Sequence, residues 1–155
     1  MKKPENKKRI VLRFAVALVV VVIAAAGAHA MMMVHRGVKR PAASEFGLGP
    51  RTSAAGIYVV TLEPQEQLRT RRMQSVPVSV RAAQGETVND ASIAIDGGMP
   101  QHGHGLPTRP RVTKAAANSA YLIEGLRFNM GGWWEVTLTI DGPHGRDTVT
   151  FNLAL

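Results

Sequence analysis

The stretch that decides the fold class reads Trp133-Trp134-Glu135-Val136-Thr137-Leu138-Thr139-Ile140. Its apolar side chains, from Trp134 to Ile140, alternate with Glu135, Thr137 and Thr139. Successive side chains of an extended strand point to opposite faces, so this pattern predicts a strand with one buried and one solvated face. Half-buried strands of this kind are typical of antiparallel sheets.

Similar short segments flank this strand and are separated by turn signals. Asp141-Gly142-Pro143-His144-Gly145 predicts a hairpin loop, and apolar residues alternate again over 149–155. Upstream we predict a polar loop over 63–74 and strands over 56–62, 76–82, 91–96, 111–114 and 119–130. No convincing helical pattern occurs after residue 34. The sequence therefore predicts an all-β fold, an immunoglobulin-like antiparallel β-sandwich, preceded by one transmembrane helix.

The amino-terminal part carries the signal for that helix. Residues 1–13 are short, polar and basic, and residues 14–34 run for 21 residues without a charge. At about 1.5 Å per residue, a helix of this length spans the roughly 30 Å core of a bilayer. We expect a cytoplasmic tail over 1–13, a transmembrane helix over 14–34, a linker over 35–55 and the domain over 56–155. Ala28-His29-Ala30 leaves a cleaved signal peptide open as the alternative, and both interpretations export the domain.

The net charge of +8 is confined to the amino-terminal part. Residues 1–40 hold nine Lys or Arg against Glu5, whereas residues 41–155 hold ten basic and ten acidic residues. More basic residues precede the apolar segment than follow it, so the positive-inside rule predicts a single-pass protein of the inner membrane with its domain in the periplasm or cell exterior. Anionic lipids explain this excess charge, and we expect no nucleic-acid partner. The cluster Arg69-Thr70-Arg71-Arg72, with Glu63 and Glu66 beside it, is interpreted as a solvated loop.

The chemistry available to the chain is limited. The sequence has no cysteine, which excludes disulfides, thiolate metal ligands and cysteine nucleophiles. It contains no Gly-x-Ser-x-Gly elbow, phosphate-binding glycine loop or dinucleotide motif. Its acidic residues are scattered, with no pair at a telling spacing. We therefore predict that the protein is not an enzyme and has no catalytic residues.

The candidate ligands concentrate in residues 97–105, which read Gly97-Gly98-Met99-Pro100-Gln101-His102-Gly103-His104-Gly105. The glycine and proline content predicts a loop. One residue separates the two histidines, so in extended backbone both imidazoles point to the same side. Met99 adds a thioether, and Met130 supplies a second if the turn before Trp133 packs beside this loop.

Thioether and imidazole together favour Cu(I) over calcium, magnesium or zinc. The predicted metal ligands are Met99, His102, His104 and Met130. His144 lies on a separate hairpin. The alternative is an ordinary surface loop with solvated histidines and a Met130 that belongs to the core.

Three blocks of residues resemble the YtkA-like domain, which is related to the FixH family. They are Met99-Pro100-x-His102-x-His104-Gly105, Tyr121-x-x-x-Gly125-Leu126-x-Phe128-x-Met130-x-Gly132-x-Trp134 and Asp147-x-Val149-x-Phe151-x-Leu153. The resemblance covers residues 56–155. It implies a small β-sandwich, anchored or secreted, outside the cytoplasm. FixH-type members further imply copper delivery and the assembly of cytochrome oxidases.

Two functions of different classes follow. The first is a membrane-anchored domain that binds Cu(I) and passes it to another envelope protein or to a respiratory complex. The second is a metal-free interaction module, in which the loop and an exposed strand edge contact an envelope protein.

Overall fold

The computed structural model describes residues 38–114 and 121–155. The segment from Arg40 to Leu155 is one compact unit, and its described residues contain a hydrophobic core of their own. The predicted cytoplasmic tail over 1–13, the transmembrane helix over 14–34 and the first residues of the predicted linker lie outside the described residues. In the described parts of the chain, no helix is long and apolar enough to cross a membrane.

The described residues form one 3-10 turn and nine strands. The turn is Ala43–Glu45, and the strands are β1 (Arg51–Thr52), β2 (Tyr58–Leu62), β3 (Met73–Ala82), β4 (Ser92–Met99), β5 (His104–Gly105), β6 (Arg111–Lys114), β7 (Tyr121–Arg127), β8 (Trp133–Gly142) and β9 (Gly145–Ala154). One sheet has the order β1-β2-β3-β7-β6, and the second has the order β5-β4-β8-β9. All strand pairs are antiparallel. The predicted all-β fold of two antiparallel sheets is confirmed.

Strand β8 supplies the centre of the core. Trp134, Val136, Leu138 and Ile140 have no exposed surface, as their alternation predicts. They pack in one cluster with buried residues of the facing sheet, which include Val60, Val76, Val78, Ile123 and Leu126. The aromatic ring of Phe128 meets Trp134 edge-on, with 5.1 Å between ring centroids. Such contacts stabilise a core beyond the burial of apolar area alone.

The strand directions divide the loops between two ends of the sandwich. We call one the entry end; it comprises residues 40–48, the loops 63–72, 106–110 and 128–132, the turn 100–103 and the carboxyl terminus. The opposite, or far, end comprises the turn 53–57, the loop 83–91 and the β8–β9 turn. At about 3.3 Å per residue, a strand as long as β8 separates the two ends by roughly 30 Å.

Part of the linker predicted over 35–55 belongs to the folded domain. Beyond the 3-10 turn, β1 pairs with β2, and Phe46 forms a parallel bridge to Asn152 of β9. The backbone N–H of Gly47 donates to the carbonyl of Asn152 at 3.0 Å, and that of Leu62 donates to Leu48 at 2.7 Å. The residues that make these long-range bonds show no alternation of apolar and polar side chains, so the local sequence pattern does not reveal them. They fasten the start of the domain to its entry end.

Asp147 joins the two sheets at the far end. Its carboxylate accepts backbone hydrogen bonds from Ala55 (3.1 Å), Ile57 (3.2 Å) and Thr148 (2.7 Å). The Ser53 hydroxyl and then these N–H groups lower the pKa of Asp147 to about 2, against the opposing effect of burial. Hydrogen bonds of this kind stabilise the charged carboxylate.

We predict that Asp147 makes the domain sensitive to acid. A pKa that is lower in the folded state than the ordinary 3.8 contributes stability above about pH 4, and this contribution is lost as the pH falls toward 2. Asp147→Asn should lower stability at pH 7 and flatten the loss of stability between pH 4 and 2. Urea unfolding followed by tryptophan fluorescence at a series of pH values measures this. Asp141→Asn, an exposed change at the same end, is the control; an unchanged acid profile in Asp147→Asn would contradict the assignment.

Candidate metal centre

Gly97 and Gly98 lie within strand β4 and not in a loop, which differs from the sequence prediction. The reason is the close approach of neighbouring backbones. A Cβ on Gly97 would collide with the carbonyl oxygen of Glu135, and a Cβ on Gly98 would collide with that of His104. Glycine therefore lets β4 pair with β8 on one side and with β5 on the other, where its pattern otherwise signals a break.

A tight turn places the two histidines. The carbonyl of Met99 accepts hydrogen bonds from the N–H groups of His102 (3.0 Å) and Gly103 (2.9 Å). Gly103 has a φ of +64°, a left-handed conformation that glycine adopts without strain. The chain then returns, and His104 pairs with Met99 across the β4–β5 ladder.

The imidazoles of His102 and His104 stand side by side at the surface. Their ring centroids are 6.0 Å apart, with 10° between the ring planes, and both residues are exposed. The sequence predicted that both would face the same side of an extended segment. The structure brings them together through the turn at Gly103.

Met99 belongs to the core. Its side chain is only 1% exposed, although its carbonyl holds the turn that carries the histidines. The terminal methyl group of Met99 lies against the next loop, because a Cβ built on Gly132 would be 2.8 Å from it. The sulfur atom therefore lies beneath the turn and not at its surface. Its role as a ligand stays a prediction.

Met130 lies in the loop that packs against Met99. Its carbonyl accepts a hydrogen bond from the indole nitrogen of Trp134 at 3.1 Å, which fixes the loop on the core. Its side chain is 39% exposed, so the alternative that Met130 is a core residue does not hold. The loop before Trp133 contacts the side chain of Met99 at Gly132, and the role of Met130 as a ligand beside the histidines stays a prediction.

Sequence reasoning missed two carboxylates beside this turn. Asp96 and Glu135 join His104, Thr137 and Thr139 in lining a shallow groove of about 500 Å³ on the outer face of the β5-β4-β8-β9 sheet. Asp96 and Glu135 are far apart in sequence and meet only through the β4–β8 register, in which Glu135 pairs with Gly98. Alternation predicts that both side chains face outward, but only the register reveals that they are neighbours.

The remaining histidine of the domain is remote. His144 lies in the β8–β9 turn at the far end, with its Nε2 atom 3.8 Å from a Glu86 carboxylate oxygen. It therefore cannot complete a site at the entry end. Among the described residues, no group of three or more His, Cys, Asp or Glu side chains is arranged to hold a metal ion.

Comparison with known proteins gives one family. The model of the YtkA-like family matches residues 52–139. No curated protein and no solved structure matches the chain. The relation to the FixH family, which the sequence motifs suggested, stays a prediction.

We predict that the two methionines differ in what they contribute to stability. Met99→Ala should lower the free energy of unfolding by about 2–5 kcal/mol, because it leaves a cavity in the core. Met130→Ala should change it by less than about 0.5 kcal/mol, because the side chain is at the surface and the carbonyl bonded to Trp134 is retained. Chemical unfolding of the two variants measures this. Equal losses would show that Met130 also packs inside the fold.

Proposed function

The chain belongs to the YtkA-like family, and from that premise we propose that it is a membrane-anchored, exported domain that binds Cu(I) at the 99–104 turn. The observation that carries the proposal is the pair of exposed, nearly parallel imidazoles of His102 and His104. None of the hydrogen bonds among the described residues involves either ring, so their nitrogen atoms remain available as ligands. The apolar residues 14–34 provide the anchor.

The turn lets the imidazoles close on an ion. Metal–nitrogen bonds are about 2.0–2.1 Å long, so two nitrogens bound to one ion lie about 4 Å apart at most. The ring centroids are 6.0 Å apart, and a rotation of each exposed side chain brings the nitrogens within reach. The glycine at 103 permits adjustment of the backbone between them.

The set of ligands favours Cu(I) over other ions. Thioether and imidazole ligands are neutral and soft or borderline, which suits a monovalent soft cation. Zinc usually takes four ligands of nitrogen, sulfur or oxygen, and the described residues present no such cluster. Asp96 and Glu135 line the neighbouring groove without joining the histidines in a group of three.

The two methionines take different parts in this proposal. Met130, exposed on the loop whose Gly132 contacts Met99, supplies the surface thioether. Met99 holds the turn through its carbonyl and lies directly beneath it. As a ligand, its buried sulfur would have to reach the ion from the core side.

An exposed site with few ligands suits the transfer of copper more than its storage. The turn lies at the surface, so a second protein can approach it and exchange ligands. The acceptor we propose is another copper protein of the envelope, with a respiratory complex as the specific case that the family resemblance suggested.

We predict that a chain beginning at Arg40 binds one equivalent of Cu(I) in competition with a chromophoric chelator. This compact unit excludes His29, His35 and Met31–Met33, which could bind copper on their own. The double change His102→Ala and His104→Ala should abolish the binding, because it removes both nitrogen ligands. His144→Ala, at the far end, is the matched control and should bind like the unchanged chain.

Binding that survives in the double variant would place copper elsewhere. The absence of any binding in the unchanged domain would leave the metal-free interaction module as the function.

We also predict that Met130→Leu weakens Cu(I) affinity by about tenfold or more, while its fold stays intact. Leucine has nearly the same volume as methionine but no sulfur, and such exchanges usually cost less than about 1.5 kcal/mol of stability. Met99→Leu, measured by the same titration, tests the ligand beneath the turn. Unchanged affinity in Met130→Leu would remove Met130 from the site.

A further inference from the structure

Six exposed arginines gather at the entry end of the sandwich. Arg69, Arg71 and Arg72 lie in the loop before β3, and Arg127 ends β7 directly opposite Met73, the first residue of β3. The other two, Arg109 and Arg111, are also exposed and lie at the start of β6, where Arg111 pairs with Glu124. The sequence shows only the cluster 69–72, and the strand register adds the rest.

These arginines present their charge to solvent. The ion pair found within residues 38–114 and 121–155 joins His144 to Glu86 at the far end. It involves none of these arginines. On the sheet that carries these arginines, the carboxylates at this end are Glu63, Glu66 and Glu124, so positive charge is in excess there. Asp96, Glu135, Glu45 and the terminal carboxylate also lie toward the entry end, but on the side of the second sheet. The far end has the reverse balance, with Glu86, Asp90, Asp141 and Asp147 against Arg81 and Arg146. The domain has no net charge after residue 40, and its arginines are concentrated on one side of the entry end.

Apolar surface lies beside these arginines. Met73 is 62% exposed and Met130 is 39% exposed, although both are large and hydrophobic. An apolar groove of about 370 Å³ opens at the same end, lined mainly by Phe46, Leu48, Leu68 and Leu155. Basic and apolar side chains together are the composition that binds the interface of an anionic membrane.

The chain enters the domain at this end. The guanidinium group of Arg40 lies 5.0 Å from the centre of the Phe46 ring, and Phe46 pairs with Asn152 near the end of β9. The apolar segment ends at Val34, six residues before Arg40. A fully extended chain of that length spans at most about 22 Å. The entry end is therefore the part of the domain that an anchored chain holds nearest to the bilayer.

We infer that the domain rests its arginine-rich entry end on the outer surface of an anionic bilayer. The arginines meet the lipid phosphates, the exposed methionines and the groove meet the interface, and the 99–104 turn faces the membrane. The orientation rests on the proposed anchor, whereas the affinity for anionic lipid does not. A partner that receives an ion from this turn is then an integral membrane protein, whose own site lies at the bilayer surface.

The first test measures lipid affinity without the anchor. The compact unit from Arg40 to Leu155 is sedimented with vesicles of phosphatidylcholine alone or mixed with phosphatidylglycerol. We expect binding to the anionic vesicles only, and its loss when ionic strength rises from about 0.01 M to 1 M, because the screening length falls from about 30 Å to 3 Å.

Charge-reversal variants test whether lipid binding depends on the arginines of the entry end or only on the total number of basic residues. The triple variant R69E/R71E/R72E should bind anionic vesicles at least about tenfold more weakly, since each basic side chain near an anionic surface adds to the attraction. The matched control R81E/K114E/R146E changes the net charge equally, away from the entry end, and should lose less than about twofold. The milder triple change to Gln serves if the Glu variant does not fold. Equal losses in both sets, or no binding by the unchanged domain, would overturn the inference.

The second test measures orientation in the full chain. The sequence contains no cysteine, so single cysteines can be labelled specifically. A fluorophore at Asn129→Cys, at the entry end, should be quenched by a lipid with a quencher on its head group. The same fluorophore at Gln84→Cys, at the far end, should be quenched little. Equal quenching at the two positions, with the chain retained in the vesicles, would contradict this orientation.

The two tests separate this inference from the proposed anchor and the proposed copper site. If the full chain leaves the vesicles when they are washed at high salt, the proposed anchor is wrong. The affinity of the free domain for anionic lipid is still decided by the sedimentation experiment. The copper titration uses no lipid and is independent of both results.

Discussion

The burial of one face of β8 is the constraint on which the rest of the fold depends. Four of its side chains, from Trp134 to Ile140, have no exposed surface, and they hold together a sandwich that has no disulfide. At roughly 25 cal/mol for each Å² of apolar surface buried, such side chains each contribute about 1.5–3 kcal/mol. The opposite face of the same strand carries Glu135, Thr137 and Thr139, which line the groove beside His104. One alternating segment therefore specifies both the core and the surface next to the candidate site.

The glycines of β4 connect this core to the candidate site. Without a Cβ at 97 and 98, β4 stays paired with β8 to its end and pairs with β5 at the same positions. That continuity turns the side chain of Met99 into the core and leaves the histidines on the turn beyond it. A bulkier residue at either position would separate the backbones, and the turn would lose its fixed relation to the core. The position of the candidate site therefore depends on the close approach of the β4 backbone to β5 and β8, and not on the loop alone.

The sequence was informative where the physical signal is local. Alternation predicted β8, β9 and most of the other strands, because a half-buried strand has apolar and polar residues at alternating positions. It failed at Gly97 and Gly98, since glycine signals a turn unless the neighbouring strands are known. It also assigned 35–55 to a linker, because the bonds of Phe46 and Leu48 reach residues far along the chain. For the candidate site, the sequence indicated the histidines and methionines. It did not reveal Asp96 and Glu135, which become neighbours through the strand register, or the burial of Met99, which depends on packing.

The electrostatics of the entry end bear on which cation it could hold. The candidate ligands are neutral, and the carboxylates of Asp96 and Glu135 in the neighbouring groove attract a cation. The six arginines at the same end instead raise the cost of adding positive charge there. That cost is twice as large for a divalent ion as for a monovalent one at the same position. A bilayer that neutralises the arginines would reduce it, so contact with anionic lipid and cation binding would favour each other. By linkage, the strengthening must be mutual: whatever affinity the membrane adds for the cation, the cation adds for the membrane.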